Sequence, residues 1–316
     1  MKNVVVFGGG HGQSTILSGI KSVEDVSLSA IVTVADDGGS TGRLRTLYEI
    51  PAMGDIRNVL YALRGEDSLM TSLLNYRFAG EEELDVEGHS LGNLILTALT
   101  QMYGSFDKGI ELLSEELKVK GKVIPSSLEV ISLYARMSGG TIVKGEANIP
   151  SFNHHIEKVF YDHEVEAYAP AIRAVEEADL IIYGIGSLYT SILPNIIIPG
   201  IRDALAKSRA TKIYFANCMT QNNETFDFDL RDHIDALEAH GAPVDLVVKH
   251  KDEIPPEILK RYAAEHSTEV VLRKEVKQPV LSFDLLNFSK GLVRHDPQKI
   301  ATVLRDLLRR EDVIHS

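Results

Sequence analysis

The chain has 316 residues, of which 44% are hydrophobic and 25% charged, a composition typical of a globular protein with one or two α/β domains. A net charge of -12 argues against a non-specific nucleic-acid binder, which needs a surplus of Lys and Arg. The single cysteine, Cys218, excludes an internal disulfide and fits a reducing compartment.

The sequence predicts neither export nor a membrane span. The N-terminus passes directly into a strand pattern, without the features of a signal peptide. The most apolar stretch, 180–201, is interrupted by glycines and prolines. We therefore expect a cytoplasmic protein. The sequence leaves open whether the chain forms a homo-oligomer and which regulatory protein partner it contacts.

Short apolar runs alternate with amphipathic helical patterns along the chain. The runs are typical of strands that are buried on both faces, and they lie at 4–7, 30–34, 180–183, 213–216 and 244–248. The alternation predicts an α/β fold in which helices cover a mainly parallel sheet. We treat 1–316 as one domain, with a small β-rich excursion at about 120–170, where short alternating segments and turn residues cluster.

Several helix starts are also predicted. Asp55 and Ser90 precede apolar residues at helical spacing, and each is a favoured capping residue. Another helical pattern begins at Leu230, and the last one has Asp296 as its cap and Pro297 as its first residue.

The first strand pattern runs into a glycine cluster and then a helix. The cluster consists of Gly8, Gly9, Gly10, His11 and Gly12. Glycines let the backbone approach a ligand, and the helix start supplies free N–H groups that suit a phosphate. Gln13 stands where the dinucleotide fingerprint has its third glycine. The alternative is a tight structural turn that binds nothing.

The second strand pattern ends in two acids and a further glycine-rich turn. Asp36 and Asp37 stand at the strand end, where an acid accepts hydrogen bonds from ribose hydroxyls in nucleotide-binding α/β folds. Ser40 is a nearby donor, and Arg43 is suited to a phosphate or carboxylate. The alternative is a surface turn, because Asp-Asp-Gly-Gly is also favourable turn chemistry.

Further polar residues follow the later strands or open helices. Because the carboxyl ends of parallel strands form one crevice, we expect them to converge on one ligand. The strand-end candidates are Gly186, Ser187, Tyr189, Asn217, Thr220 and Gln221, and the helix-start candidates are Asn58, His89 and Asn93. For His89 a structural role and a site role both stay open.

These segments, in this order, resemble the gluconeogenesis factor family, which is similar to the 2-phospho-L-lactate transferases. The matching segments are GGGHGQS, TVADDGGSTGRLR, GDIRN, EGHSLGNLIL, GIGSLYTSILPN and NCMTQNNET. The resemblance implies a Rossmann-like three-layer α/β/α fold. It also implies binding of UDP-sugars, chiefly UDP-N-acetylglucosamine, and support of cell shape and of growth on gluconeogenic carbon.

The resemblance also implies particular site residues. Asp36 and Asp37 match the acidic position of the transferases, whose reaction uses Mg²⁺, and are therefore candidate metal ligands. Tyr262 and Arg294 match residues tied to UDP-sugar binding. Tyrosine stacks on uracil and arginine contacts a diphosphate, whereas the alternatives are a packed helix tyrosine and an exposed strand-end arginine. The first turn departs from the family pattern, since His11 replaces threonine.

Three functions remain. The first is a UDP-sugar-binding regulator without turnover, and the second is a Mg²⁺-dependent transferase that resembles the phospholactyl enzymes. The third, a nicotinamide-dependent oxidoreductase, is disfavoured by the missing fingerprint glycine, although an NAD-like dinucleotide stays a candidate ligand.

Overall fold

The computed structural model describes residues 1–79, 86–152 and 155–309. The strands in chain order are β1 Lys2–Gly8, β2 Val26–Val32, β3 Lys122–Pro125, β4 Tyr134–Met137, β5 Ile142–Lys144, β6 Ile156–Phe160, β7 Leu180–Tyr183, β8 Thr211–Phe215, β9 Leu246–His250, β10 Val280–Phe283, β11 Leu286–Asn287 and β12 Arg294–His295. The helices are α1 Gly10–Ile20, α2 Gly39–Tyr48, α3 Gly54–Leu63, α4 Leu69–Asn75, α5 Leu91–Tyr103, α6 Phe106–Glu116, α7 Ala169–Glu176, α8 Leu193–Ile196, α9 Pro199–Lys207, α10 Leu230–Ala239, α11 Pro256–Ala264 and α12 Pro297–Arg309. A π-helix, Leu188–Ile192, precedes α8.

Seven strands form the central sheet in the order β10-β9-β8-β7-β1-β2-β3. Every pair of neighbours in this sheet is parallel. The chain therefore proceeds outward from β1 to β3, returns to the other side of β1 at β7, and proceeds outward again to β10. In such doubly wound sheets the ligand crevice lies where this reversal occurs, at the carboxyl ends of β1 and β7. The predicted Rossmann-like α/β fold is confirmed.

The apolar runs are buried because helices flank the sheet. Val4 and Phe7 of β1 are each 0% exposed, as expected for a strand covered on both faces. Helix α1 packs against α3 and α12, and α7 packs against α9. No helix in the described part of the chain is long and apolar enough to cross a membrane.

Two of the three predicted N-cap residues are confirmed. Ser90 is the N-cap residue of α5. Asp296 Oδ1 accepts the Gln298 N–H at 2.8 Å and so caps α12. The predicted cap at Asp55 is wrong, because α3 begins at Gly54 with Met53 as its N-cap. The Asp55 carboxyl contacts the start of α1 instead.

The β-rich excursion is present as a three-stranded antiparallel sheet in the order β5-β4-β6. It is shorter than the predicted range 120–170, because β3 at its start is the parallel edge strand of the main sheet and α7 begins at Ala169. An edge strand has only one neighbour, so its half-buried pattern resembles that of a small antiparallel strand. The single-domain assignment stays a prediction.

Candidate functional site

The first glycine turn lies at the middle of the crevice and brings two other segments into contact with α1. A Cβ on Gly12 would lie 1.4 Å from the carbonyl oxygen of Ile185, in the loop after β7. A Cβ on Gly9 would lie 2.3 Å from Asp55 Oδ2. Only glycine permits these approaches. These glycines are therefore required by packing within the protein, whatever ligand the turn also holds.

Gln13 explains the departure from the dinucleotide fingerprint. Its side chain is 1% exposed. The Nε2 atom donates to the carbonyl oxygens of Val6 at 2.8 Å and Ile31 at 2.9 Å, at the ends of β1 and β2. Gln13 thus fastens α1 to both strands, and Gly12 permits the close approach of α1 to the loop after β7.

A carboxyl group of the protein lies where a phosphate was expected. Asp55 accepts a hydrogen bond from the Gly10 N–H at the positive end of α1, and another from the Asn58 side chain. Burial, followed by the nearby Asp36 carboxylate, raises the pKa of Asp55 to about 7. Asn58, a predicted ligand contact, therefore supports Asp55. It also accepts a hydrogen bond from Arg57 Nη2 at 2.7 Å.

The two tandem aspartates make different contacts. Asp36 accepts the Gly38 N–H at 2.9 Å and the Thr41 hydroxyl, and burial raises the pKa of Asp36. Asp37 Oδ1 accepts the N–H of Ala147, from the loop after β5, at 2.9 Å. Asp36 thus belongs to the wall of the crevice, while Asp37 fastens the antiparallel excursion to it.

Ser40, His89 and Asn93 form one buried network between α2 and the start of α5. Ser40 Oγ lies 2.9 Å from His89 Nδ1 and accepts a hydrogen bond from Asn93 Nδ2 at 3.2 Å. Burial, together with Arg43 and Arg77, lowers the pKa of His89, so the imidazole is neutral at pH 7. Arg43 donates to the carbonyl oxygen of Glu87. His89 is therefore a bonded, neutral histidine.

A pocket of about 250 Å³ opens beside the ends of β1, β7 and β8, and we call it the β8 pocket. It brings together predicted site residues from five separate segments, including both residues assigned by resemblance. The predicted residues that line it are His11, Gly12, Gly186, Asn217, Thr220, Gln221, Tyr262 and Arg294. The side chains of His11 and Arg294 are exposed. The Tyr262 hydroxyl accepts the Val293 N–H at 3.1 Å, which fixes the position of the ring.

Hydrogen bonds connect the loop after β7 to the loop after β8. Asn217 Nδ2 donates to the carbonyl oxygen of Gly186, and Gln221 Nε2 donates to Ser187 Oγ, each at 2.8 Å. The Thr220 hydroxyl is less available, because the side chain is 2% exposed and accepts the Thr268 N–H at 2.8 Å.

The structure does not bring the Tyr189 side chain to the crevice. Its ring is 3% exposed and packs edge-on against Phe228 and His240, with ring centroids 6.3 Å and 5.9 Å away. The π-helix directs this ring into the core, away from the crevice.

Two acids of the site were missed in the sequence. Glu146, between β5 and β6, has its pKa raised to about 8 by burial and then by the carboxylates of Asp36, Asp55, Glu224 and Asp37. Glu224 is 4% exposed, and burial raises its pKa to about 7. Both stand in polar loops without a periodic apolar pattern, so their burial cannot be predicted from their neighbours in sequence.

We call Asp36, Asp37, Asp55 and Glu146 the acidic cluster. Within residues 1–79, 86–152 and 155–309, no three His, Cys, Asp or Glu side chains are grouped as a complete metal site. Metal binding by Asp36 and Asp37 therefore stays a prediction.

Comparison with known proteins agrees with the fold. The family model of 2-phospho-L-lactate transferase CofD matches residues 4–283, and the chain belongs to this family. The chain is 41% identical to the gluconeogenesis factor of Bacillus subtilis, over 97% of this chain and 98% of that protein. It is 44% identical to the gluconeogenesis factor of Halalkalibacterium halodurans, over 96% and 95% of the two chains.

A solved structure is similar over nearly the whole chain. The crystal structure of a UPF0052 family protein from Bacillus halodurans superposes with a TM-score of 0.91 at 41% identity. The match covers 96% of this chain and 99% of the other.

Proposed function

We propose that this protein binds a UDP-sugar, chiefly UDP-N-acetylglucosamine, and acts as a regulator of growth on gluconeogenic carbon and of cell shape without turning the ligand over. The observation that carries the proposal is the β8 pocket. It joins Tyr262 and Arg294 to polar groups of three strand-end loops at the reversal point of the sheet. The names of the similar proteins support the part of the proposal that concerns gluconeogenic carbon.

The pocket residues match the parts of a nucleotide sugar. The Tyr262 ring provides an aromatic face for uracil, and Arg294 provides a charged fork for the diphosphate. The Asn217 and Gln221 amides suit the hydroxyls of a sugar. Small-molecule sites usually span about 300–1,000 Å³, so a nucleotide sugar extends beyond this pocket of about 250 Å³. Its other end then passes the α1 turn toward the acidic cluster.

Charge balance at that end favours a cation. The carboxylates of the cluster repel one another, which contributes to the raised pKa of Glu146 and of Asp55. A diphosphate beside them adds further negative charge. Mg²⁺ neutralises such charge and prefers oxygen ligands, and Asp36 is the aspartate that fits it. Asp37, which accepts the Ala147 N–H through one oxygen, is the second candidate ligand.

The second candidate function is a Mg²⁺-dependent transferase. The family match and the acidic cluster favour it, because phosphoryl chemistry in such sites depends on carboxylate-held metal. A regulator leaves the ligand intact, whereas a transferase consumes it.

The NAD-like dinucleotide is tested as an alternative ligand in the titrations described next.

Binding is tested by thermal unfolding and calorimetry with UDP-N-acetylglucosamine and Mg²⁺. At about 100 times Kd, a ligand that binds only the native state adds about 2.7 kcal/mol. We expect the melting temperature to rise by a few degrees. A flat calorimetric titration at millimolar ligand, or tighter binding of NAD than of the UDP-sugar, contradicts the proposal.

Turnover is tested by incubating the protein with UDP-N-acetylglucosamine and Mg²⁺ and measuring free UDP. A regulator leaves the nucleotide sugar intact. Steady release of UDP that scales with protein and is lost in Asp36→Asn supports the transferase instead. Asp203→Asn, at an exposed acid of α9, is the control.

A further inference from the structure

Glu224 makes contacts that none of the functions above requires. It stands in the loop between β8 and α10, yet its side chain is 4% exposed. Its Oε1 atom accepts the Thr190 hydroxyl at 3.1 Å, and the Ser187 hydroxyl and the Tyr189 N–H face the same carboxyl, whose Oε2 atom is buried without a hydrogen-bond partner among the described residues. All three donors belong to the start of the π-helix after β7. The carboxyl therefore occupies the amino end of this helix.

The same loop connects Glu224 to the β8 pocket. Gln221, which lines the pocket, donates from Nε2 to Ser187 Oγ at 2.8 Å. The Ser187 hydroxyl in turn faces the Glu224 carboxyl. The Glu224 N–H donates to the Gln221 carbonyl oxygen at 3.2 Å. A continuous series of polar contacts thus runs from the buried carboxyl to an amide at the pocket wall.

We propose that Glu224 is a positioning residue of the UDP-sugar site, which holds Ser187 and, through it, the Gln221 amide in the orientation that faces the ligand. This inference rests on the proposed function for the identity of the ligand. It has a second consequence. The amino end of the π-helix is filled by a carboxyl of the protein, so the ligand diphosphate belongs beside Arg294 and the α1 turn.

The contact also depends on pH. The titratable groups that face Glu224 are Tyr189 of the π-helix and Glu146 of the excursion. Burial raises the pKa of Glu224 to about 7, above its ordinary value. The bonded arrangement is therefore favoured at low pH, and ionisation favours exposure of the carboxylate to water as the pH rises through 7. Ligand affinity should fall over the same range.

Two variants and a control test the inference. Glu224→Gln keeps a carbonyl acceptor and cannot ionise, whereas Glu224→Ala removes the contact. Glu176→Ala, an exposed acid of α7, is the control. Hydrogen exchange of the segment 186–192 is measured without ligand, and UDP-N-acetylglucosamine affinity is measured at about pH 6 and about pH 8.5.

We expect exchange at the π-helix start to accelerate about tenfold in Glu224→Ala, with affinity weaker by a similar factor. Glu224→Gln should remain close to wild type near pH 6 and bind more tightly than wild type near pH 8.5. Glu146 and Asp55 titrate in every variant. A change of affinity between the two pH values that is lost only in Glu224→Gln is therefore assigned to Glu224.

Failure of the inference and failure of the proposed function are distinguishable. If wild type does not bind the UDP-sugar, the proposed function fails, and the exchange rates alone decide the positioning role. If Glu224→Ala exchanges and binds like wild type, the inference is overturned while the proposed function stands. If Glu224→Ala does not fold, the test rests on Glu224→Gln. A fall in affinity from about pH 6 to about pH 8.5 that equals that of wild type then overturns the inference.

Discussion

The two sides of the crevice differ in the charge and in the exposure of their polar groups. Beside β2, the acidic cluster is half-buried, and the carboxyls of Asp36 and Asp37 accept hydrogen bonds from backbone N–H groups. Beside β8, the pocket exposes His11 and Arg294 and carries no acid among its lining residues in the described chain. One side is therefore suited to cations or hydroxyls, and the other to an anion.

This difference indicates the direction in which a nucleotide sugar lies. The diphosphate is favoured toward Arg294, and only a cation brings it close to Asp36. The α1 turn separates the two sides, and its own positive end already contacts Asp55. The glycine turn thus forms the boundary between the acidic cluster and the β8 pocket, and it is not a complete phosphate site by itself.

The largest expected effect is on this boundary. Gly12→Ala places a Cβ 1.4 Å from a backbone oxygen of Ile185, so α1 and the loop after β7 must separate. Overpacking costs about 1–3 kcal/mol or more, which lowers the melting temperature by several degrees. Gly186→Ala is the control, because its nearest neighbour would lie at 3.7 Å. Equal melting temperatures of the two variants would show that the boundary is not tightly packed.

The second prediction concerns the anion side. Arg294→Ala removes a charge-assisted hydrogen bond of about 1.5–3 kcal/mol, or about 10- to 150-fold in UDP-N-acetylglucosamine affinity. Stability without ligand should change little, because Arg294 is exposed. Arg209→Ala, an exposed arginine that precedes β8 at the opposite edge of the sheet, serves as control. Calorimetry and ligand-free melts measure both effects, and unchanged affinity in Arg294→Ala removes this residue from the site.

The smallest effect is expected for the pH dependence of stability, at Glu146 of the acidic cluster. The pKa of Glu146 is raised to about 8, so the native state holds more protons than the unfolded state between the ordinary carboxyl range and that value. Stability therefore falls as the pH rises through this window. Melts at about pH 6 and about pH 8.5 should show a smaller fall for Glu146→Gln than for wild type. The exposed Glu164→Gln should behave as wild type, and a fall of wild-type size in Glu146→Gln contradicts the assigned burial.

The sequence predicts the side of the crevice that is built from strand ends, and it predicts the acidic side only in part. Asp36 and Asn217 follow apolar runs, and parallel pairing brings such strand ends to one edge. Glu146 reaches the crevice from the excursion, and Glu224 lies in the same loop as Gln221, but only tertiary packing decides the burial of these two acids. Tyr189 follows a glycine turn as expected, but a π-helix directs its ring into the core. Periodicity in sequence does not indicate such a local change of helix type.

A crystal structure of the complex with UDP-N-acetylglucosamine and Mg²⁺ tests the central claim most directly, namely that one ligand spans both sides. We predict uracil against Tyr262, the diphosphate beside Arg294 and the α1 turn, and the metal at Asp36. A ligand confined to one side, or bound in the cavity of about 500 Å³ between α6 and β3, would contradict the account.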